Sequence, residues 1–492
     1  MLIKNIYFWL LILCLFILRV VGLQHTGLFD YDSVTNYQII QELAAGRFSR
    51  LYHHASPLFY LFFLPFYKLG TSFLNNDFLI LEYVNALLNL SAIAVFTIYF
   101  GNKIQLDKKA QLLFLSFAST GFLLFSTSRY FSIESFSLLT FNFSIIYFHK
   151  YFNKNSTAKN WNLAWLLSGI TLCINYKQIY FITFFALLYL FSERKYLKIN
   201  HIFTAALYTA LLPLLMIVIG RLMGVDWLTY PKYYWVQTFV KDMNPYAEVP
   251  PFRADFWFYP LYLIFLEPAV IILLLFSLFF FSKKKGFDIK KASPILFLLV
   301  LIIPYLLFIS FIQKAPRGLL PVYLPICLIF FATSIKHLKW KTALTSVLVA
   351  INCFFIFKEF SPLKKSNYDE VVKFIEEKHI NKLAVTSAKG IIPFLKKDSM
   401  EIAIVFHENE LKQLEQKGFK YCLADLYFLA SHPNNFNSII NREALFATNE
   451  PKLLNQMLFL EHSEFTGNTF CKTLENYQAL RNLKNHLFII KL

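Results

Sequence analysis

Long apolar runs dominate the first three quarters of the chain, and short polar stretches separate each run from the next. A helix needs about 20 apolar residues to cross the hydrocarbon core of a bilayer. By this criterion the pattern predicts about eleven membrane-spanning helices. They are expected at residues 5–24, 79–101, 110–127, 132–149, 161–176, 178–192, 201–220, 256–281, 292–312, 319–335 and 342–358.

One further apolar run, at residues 57–70, is too short to be counted among these spans. It reads PLFYLFFLPFYKLG and contains Pro65 and Lys68. We expect this segment to form a helix that lies in the membrane interface or re-enters the membrane from one side.

The basic residues of the connecting loops fall on one side of the predicted spans. Five alternate loops carry 17 Lys and Arg residues against three acidic residues. Because cytoplasmic loops are enriched in Lys and Arg, this side is predicted to be cytoplasmic. The N-terminus is then cytoplasmic, whereas the first loop, the segment 221–255 and the tail are expected outside. Abundant Phe, Ile, Lys and Asn suggest an AT-rich bacterial genome, and we expect a multi-pass protein of the bacterial inner (plasma) membrane.

The pattern changes after residue 358. Short β-like runs, KLAVTSA, EIAIVFH and YCLADLYFL, alternate with the amphipathic segments YDEVVKFIEEKH and NELKQLEQKG. This alternation predicts a small α/β domain. We therefore expect a mostly α membrane domain at residues 1–358 and an extracytoplasmic α/β domain at residues 359–492.

The composition agrees with a membrane protein and argues against a soluble one. Hydrophobic residues make up 57% of the chain, charged residues only 16%, and the mean hydropathy is +0.48. The net charge of +18 could suggest nucleic acid as a partner, but the position of the basic loops explains it better.

The six cysteines have no metal-ligand spacing, and Cys422 and Cys471 could pair if the tail lies outside the cytoplasm.

Two aspartates, Asp30 and Asp32, follow the first predicted span in the stretch FDYDSVTNYQIIQELAAG. The spacing of Ile39, Ile40 and Leu43 predicts a helix with one apolar face that lies in the membrane interface. Gly46 is expected to end this helix. Acidic residues near the start of a helix often only cap it, so capping is the alternative to a catalytic role.

A family resemblance rests on the order of these features. The first span is followed by an outer acidic residue, a helix that ends in glycine, and then the stretch HHASPLFY. This order resembles the membrane glycosyltransferases of the GT-C class, in the protein-mannosyltransferase and aminoarabinose-transferase-like branch. Those enzymes usually have Asp-Glu and HPPLYY, where this chain has Asp32-Ser33 and His54-Ala55-Ser56-Pro57. Three further stretches resemble the family: SRYFSIESFSLL, INYKQIYF and APRGLLPVYLPICLIF.

The resemblance implies a GT-C-like fold and an inverting glycosyltransferase. Such an enzyme moves a sugar from a polyprenyl-phosphate carrier to a hydroxyl of a lipid, glycan or protein acceptor at the outer face of the membrane. An ionised carboxylate can take the hydroxyl proton, and Asp32 is our choice. Asp30 or Glu134 could assist, by orienting the acceptor or by holding a divalent cation. No cofactor is certain.

The departing lipid phosphate needs cationic or hydrogen-bonding partners. Arg317 is the strongest candidate, because it precedes a span and lies in a stretch that resembles the family. The other predicted substrate-binding residues are His54, Arg129, Lys177 and Arg253. Lys241 and Lys314 are expected to reach lipid headgroups. The histidines are most often structural at such positions.

Three further features have two interpretations each. Arg19 lies within the first span and is expected either to face the bundle interior or to reach the outer interface. Glu267 is either a buried polar contact or part of a path for the lipid carrier. The aromatic-rich segment 229–265 forms an interfacial belt or a lid over a cleft.

Two other functions remain open at this stage. A transporter of lipids or glycans would carry ionisable residues near the middle of the membrane and often two similar halves. A non-catalytic scaffold of cell-envelope assembly would tolerate Ser33 in place of the usual glutamate. The polar residues cluster in the outer loops and the two halves differ, which favours the enzyme.

Overall fold

The architecture is taken from a computed structural model of the chain. The residues that the structure describes are 2–28, 31–73, 77–152, 157–179, 199–228, 232, 254–283, 294–311, 314–335, 338–360, 366–386, 390–395, 400–405, 407–426, 436–448, 460–461 and 468–492.

The described residues before position 361 fold mainly into helices. They are α1 (Ile6–Val20), α2 (Leu23–Thr26), α3 (Tyr31–Ala44), α4 (Pro57–Phe73), α5 (Asp77–Lys103), α6 (Lys108–Ser119), α7 (Phe122–Ser128), α8 (Ile133–Phe152), α9 (Ala158–Ile174), α10 (Ile199–Leu222), α11 (Phe258–Leu266), α12 (Pro268–Lys283), α13 (Pro294–Ile309), α14 (Leu320–Ser334) and α15 (Lys341–Phe360). Short 3₁₀ helices lie at Leu2–Lys4, His53–Ala55, Tyr176–Ile179 and Pro316–Leu319.

Several of these helices are long and apolar enough to cross a membrane. Within the described residues five qualify, at Ile6–Thr26, Asp77–Lys103, Asn200–Leu222, Pro316–Ser334 and Lys341–Lys358. Two bent pairs, α6 with α7 and α11 with α12, raise the number to seven if each pair is one span. The chain is thus a multi-pass membrane protein.

The predicted total of about eleven spans stays a prediction. Helix α13 is apolar but shorter than the five helices that qualify as spans. The predicted spans at 132–149 and 161–176 are helices, but they are less hydrophobic than those five. The predicted span at 178–192 lies almost wholly outside the described residues. The run at 57–70 is helical, as expected, and its Phe59, Tyr60 and Phe63 are fully buried.

A broken helix lies at the centre of the bundle, where α6 and α7 meet at an angle of 66°. Arg19 is fully buried and its Nη2 donates to the carbonyl oxygen of Ser119, at the end of α6, over 2.7 Å. Glu267 is also fully buried and accepts from the N–H groups of Phe122 and Leu123, at the start of α7. Arg19 therefore faces the bundle interior, and Glu267 is a buried polar contact.

Basic side chains from different loops meet at one end of the bundle. Lys341 forms an ion pair with Asp107. The ammonium groups of Lys103 and Lys150 lie 5.8 Å and 5.6 Å from the centre of the Tyr99 ring. These residues belong to three loops that were predicted to share one side of the membrane, and their contacts place the described parts of those loops close together.

The tail docks at the opposite end of the bundle. Phe394 of the tail lies against Phe78, at the start of α5, with ring centres 6.2 Å apart. The N–H of Ser366 donates to the carbonyl oxygen of His25 over 3.0 Å. Since α5 has 27 residues and rises about 1.5 Å per residue, its two ends lie roughly 40 Å apart. The tail and the basic loops are thus separated by the length of the bundle, and their assignment to the outer and cytoplasmic sides stays a prediction.

The tail contains a five-stranded sheet of order β2-β1-β3-β5-β4. Its strands are β1 (Lys382–Thr386), β2 (Glu401–Val405), β3 (Tyr421–Asp425), β4 (Phe446–Ala447) and β5 (Leu487–Lys491). Strand β1 is parallel to β2 and β3, whereas β5 is antiparallel to β3 and β4. The tail helices are α16 (Tyr368–Glu377), α17 (Asn409–Gln416), α18 (Asn437–Ile440) and α19 (Phe470–Arg481), with a 3₁₀ turn at Ile392–Phe394.

The α/β character of the tail is confirmed, and the first three strands and helices α16 and α17 lie where the sequence pattern predicts them. The possible disulfide between Cys422 and Cys471 is wrong. All six cysteines are free. Cys422 is buried within β3, whereas Cys471 is exposed on α19.

Candidate active site

Helix α3 carries Asp32 in its first turn and is held firmly by its neighbours. Asn36 donates to the carbonyl oxygen of Phe131 over 3.3 Å and accepts from the hydroxyl of Tyr60 over 2.9 Å. Tyr37 donates to the carboxylate of Asp77 over 2.6 Å. These bonds join α3 to α4, to the start of α5 and to the loop before α8, so the position of Asp32 is fixed from several sides.

The apolar face of α3 packs against protein. Ile39, Ile40 and Leu43 are at most 3% exposed and belong to a hydrophobic cluster that includes α4. The predicted helix is present, and its apolar residues pack in a cluster that includes α4, while its position in the membrane interface stays a prediction. The helix ends as predicted at Gly46, whose φ of 77° is in the left-handed region that favours glycine.

Asp32 pairs with a cation that lies 285 residues later in the chain. The Nη1 atom of Arg317 lies 3.0 Å from Oδ2 of Asp32. Arg317 is in the 3₁₀ turn that precedes α14, as the stretch APRGLLPVYLP suggested. The Asp32 side chain is 19% exposed and the Arg317 side chain 18%, so the pair is shielded yet open to solvent or substrate. Asp32 therefore does more than cap its helix.

Two further carboxylates surround the same guanidinium. Glu134, in the first turn of α8, has Oε1 at 3.7 Å from Nη1 of Arg317. Glu461, from the tail, has Oε2 at 3.2 Å from Nε of Arg317, and its Oε1 accepts from the N–H of Arg317 over 3.0 Å. The Arg317 cluster, which we define as Asp32, His54, Glu134, Arg317 and Glu461, thus contains three carboxylates and one guanidinium.

Sequence reasoning missed Glu461. The residue lies in a part of the tail with no motif and no amphipathic period, and 144 residues separate it from Arg317. Only the docking of the tail on the bundle brings it to the cluster.

His54 reaches the cluster through an unusual backbone conformation. Its φ is 55° and that of Ala55 is 51°, both in the region that non-glycine residues rarely adopt. The hydroxyl of Ser56 donates to the carbonyl oxygen of His54 over 2.9 Å and helps to hold the turn. The Nε2 atom of His54 lies 3.6 Å from Oδ1 of Asp32, an ion-pair distance but too long for a hydrogen bond. Strained conformations of this kind are often found at functional sites.

The cluster has the chemical groups for proton transfer beside a developing negative charge. A carboxylate next to a guanidinium stays ionised more readily and can accept a proton from a hydroxyl within hydrogen-bond reach. The Oε2 atom of Glu134 is buried and has no hydrogen-bond partner within the described part of the chain. Glu134 can therefore accept a bond from a bound molecule.

A divalent cation stays a prediction. Within the described ranges, no three His, Cys, Asp or Glu side chains are arranged to hold a metal ion.

Arg129 is not part of the Arg317 cluster. It is 1% exposed, and its Nη1 donates to the carbonyl oxygens of Arg19 and Val21 over 2.7 Å and 2.9 Å. It also interacts electrostatically with the buried carboxylate of Glu82. Because these carbonyls close the end of α1, the position of Arg129 favours a structural role over the predicted contact with substrate.

The remaining predicted residues cannot be placed in the same way. Asp30 and Arg253 lie outside the described residues, as do Lys241 and most of the segment 229–265 that was considered as a lid. Lys177 lies in the 3₁₀ turn Tyr176–Ile179, and its side chain is outside the described part. Lys314, which was expected to reach lipid headgroups, is only 6% exposed.

Solved structures with the same architecture exist at very low sequence identity. The crystal structure of ArnT from Cupriavidus metallidurans in the apo state matches with a TM-score of 0.58 and 10% identity, over 87% of this chain and 92% of that one. The same protein bound to undecaprenyl phosphate matches with a TM-score of 0.55 and 10% identity, over 90% and 96% of the two chains. The chain has an ArnT-like GT-C fold.

Overall sequence similarity to known families and proteins does not reveal the GT-C fold. No protein-family model matches the chain, and none of the curated proteins is significantly similar to it. The resemblance inferred from the order of the motifs is confirmed at the level of the fold.

Proposed function

We propose that this protein is an inverting glycosyltransferase that moves a sugar from a polyprenyl-phosphate carrier to a hydroxyl group. The reaction takes place at the Asp32 end of the bundle, which is the outer face of the bacterial inner membrane. The acceptor is a lipid, a glycan or a protein.

One observation carries the proposal: a shielded carboxylate and a guanidinium lie 3.0 Å apart within an ArnT-like GT-C fold. Asp32 and Arg317 were both selected from the sequence, for the base and for the phosphate contact. The solved ArnT complex with undecaprenyl phosphate supports a lipid phosphate as the ligand class of this architecture.

The chemical step requires one base and one stabilised leaving group. The acceptor hydroxyl attacks the anomeric carbon, and its proton passes to the carboxylate of Asp32. The bond between the anomeric carbon and the phosphate oxygen breaks, and its electron pair stays on that oxygen. The products are an inverted glycoside and the polyprenyl phosphate.

Arg317 and Glu134 have supporting roles in this step. The guanidinium of Arg317 donates to the phosphate oxygen as its negative charge grows, which stabilises the transition state. Glu134 accepts a hydrogen bond from the acceptor or the sugar and orients it. His54, beside Asp32, contributes a further contact to the bound substrate.

The first experiment identifies the substrates. Mass spectrometry of cell-surface glycans and lipids, with and without the gene, shows which sugar is missing. The purified protein is then reconstituted with the matching undecaprenyl-phosphate sugar, and release of undecaprenyl phosphate is measured. Wild type is expected to transfer the sugar, and Asp32→Asn is expected to lose transfer while it still inserts and folds.

Asp369→Asn is the matched control, since Asp369 is also in the first turn of a helix but is exposed on the tail. Full transfer by Asp32→Asn would contradict the proposal. Movement of an intact lipid or glycan across vesicles, with no sugar transferred, would instead indicate the transporter. If the glycan is missing without the gene and the Asp32→Asn variant restores it, the protein acts as a non-catalytic scaffold.

A further inference from the structure

The tail supplies a carboxylate to the Arg317 cluster through an unusual double contact. One oxygen of Glu461 accepts from the main-chain N–H of Arg317 over 3.0 Å, and the other lies 3.2 Å from its Nε. The same carboxylate thus accepts a hydrogen bond from the backbone and forms an ion pair with the side chain of one residue. An arginine has many rotamers, and two contacts on one residue restrict them more than a single ion pair does.

The position of Glu461 is itself fixed by burial. Its side chain is 8% exposed, and the preceding Leu460 is fully buried in the main hydrophobic cluster. The tail is also anchored nearby, where Phe470 packs against Phe258 and Phe265 with ring centres 5.8 Å and 5.7 Å apart. A buried acidic residue with an anchored neighbour is costly unless it is paired, and Arg317 provides that partner.

The contact matters because Arg317 has competing partners. Nη1 of Arg317 lies 3.0 Å from Asp32 and 3.7 Å from Glu134. Glu461 binds on the Nε side and at the backbone, which leaves the Nη1 side directed towards Asp32. Without this hold, the guanidinium could turn away from the base that it accompanies.

We propose that Glu461 is a positioning residue, through which the tail fixes the guanidinium of Arg317 beside Asp32. This inference rests on the proposed function and extends it, because it makes the docked tail a part of the active site. The tail then contributes to turnover through one carboxylate.

The inference predicts a change in the pH profile as well as in rate. In the described part of the chain, Asp32 is surrounded by Arg317, Glu134, His54 and His53, with Glu461 beyond the guanidinium. Removing the carboxylate of Glu461 releases the guanidinium of Arg317 from its place beside Asp32. Asp32 then has less positive charge near it and loses its proton less easily, so the acidic limb of kcat/KM moves to higher pH.

The test compares Glu461→Gln with wild type in the transfer assay with the matching undecaprenyl-phosphate sugar. Gln keeps the shape of the side chain and removes its charge. We expect kcat to fall about tenfold while KM for the donor changes by less than about threefold. The acidic limb is expected to move by roughly half a pH unit or more.

Glu461→Asp tests the charge of the side chain separately from its length. It restores the negative charge on a side chain that is one methylene shorter. We expect the acidic limb to return to its wild-type position while kcat recovers only in part.

Glu415→Gln is the control, because Glu415 is exposed on α17 of the tail. Normal kcat and an unmoved acidic limb in Glu461→Gln, with Asp32→Asn inactive, would overturn the inference and leave the proposed function intact. A lower kcat with an unmoved limb that Glu461→Asp does not improve would also overturn it, since that outcome indicates a purely structural role. Full activity of Asp32→Asn would contradict the proposed function instead.

Discussion

The carboxylate of Glu267 accepts a 2.6 Å hydrogen bond from the main-chain N–H of Leu123, which lies 144 residues earlier in the chain. It also accepts from the N–H of Phe122 and from the hydroxyl of Tyr323. The first N–H groups of a helix have no partner within that helix, and a carboxylate at this end is favourable. Glu267 therefore caps the buried start of α7, where the helix is broken between α6 and α7.

Loss of this carboxylate is expected to destabilise the bundle. Glu267→Leu would leave two buried N–H groups and one hydroxyl without an acceptor, at about 1–3 kcal/mol for each unsatisfied group. Glu267→Gln keeps one carbonyl oxygen as acceptor, so its effect should be smaller. The apparent melting temperature in detergent, followed by fluorescence-detected gel filtration, should fall for both variants and more for Leu. If Glu267→Leu melts like the surface variant Glu415→Gln, the capping role is not supported.

Arg317 gives the second prediction. Arg317→Ala should lower kcat by about 10²–10³-fold, as is usual when a donor to a developing negative charge is removed. Arg317→Lys keeps the charge but lacks the planar fork of donors, so it should recover only part of that loss. Transfer kinetics with the matching undecaprenyl-phosphate sugar measure both. Arg481→Lys, on the exposed end of α19, is the control, and equal activity of Arg317→Lys and wild type would argue against a directional phosphate contact.

The third prediction concerns pH and His53. Burial, together with the neighbouring His54 and Arg50, lowers the pKa of His53 to about 3, while Asp32 acts in the opposite direction. The unfolded chain binds a proton at this residue below pH 6.5, and the folded protein does so only near pH 3. Stability should therefore fall as the pH decreases from about 6.5 towards 3, by up to about 1.4 kcal/mol per pH unit.

His53→Gln should flatten this dependence, because Gln does not titrate. The measurement is the apparent melting temperature in detergent at pH values between 7 and 4, for wild type and for the variant. His407→Gln in the tail is the control. Parallel curves for wild type and His53→Gln would show that His53 does not contribute to the acid-side loss of stability.

The sequence predicted the parts of the fold that depend on local pattern. Apolar runs, helical periodicity and β-like alternation are properties of neighbouring residues, and they located α3, α5, α14 and the strands β1 to β3. The ending of α3 at Gly46 was predictable for the same reason, since a left-handed residue after a helix is most easily a glycine.

The long-range contacts were beyond such reasoning. No proline lies at the break between α6 and α7, so the sequence did not indicate it. Arg19 bonds to the end of α6 and Glu267 to the start of α7, and both residues lie far away in the chain. Buried charges in a membrane span signal a partner, but not which one. Whether Arg19 faces the bundle interior, and whether Glu267 is a buried contact, became clear only from the packing of the helices.

The residues of the candidate site likewise fall into those with a local sequence signal and those without one. Asp32, His54, Glu134 and Arg317 were each selected because their local stretches resemble a known family, and the structure brings the four together. Arg129 was selected by its type and expected side, which cannot distinguish a substrate contact from a bond to main-chain carbonyls. Glu461 had no local signal, because its role follows only from the docking of the tail.

The docking of the tail gives the fourth prediction, at Gly27. This residue has a φ of 64°, and a Cβ atom there would lie 2.6 Å from Cζ of Phe394 in the tail. Gly27→Ala therefore strains the backbone and also pushes Phe394 away from the bundle. Gly224→Ala is the matched control, since Gly224 has a φ of 68° and nothing within 4 Å of the added atom. Limited proteolysis in detergent should release the tail of Gly27→Ala several-fold faster than that of Gly224→Ala. Equal cleavage rates would mean that the contact of Phe394 with this turn does not hold the tail in place.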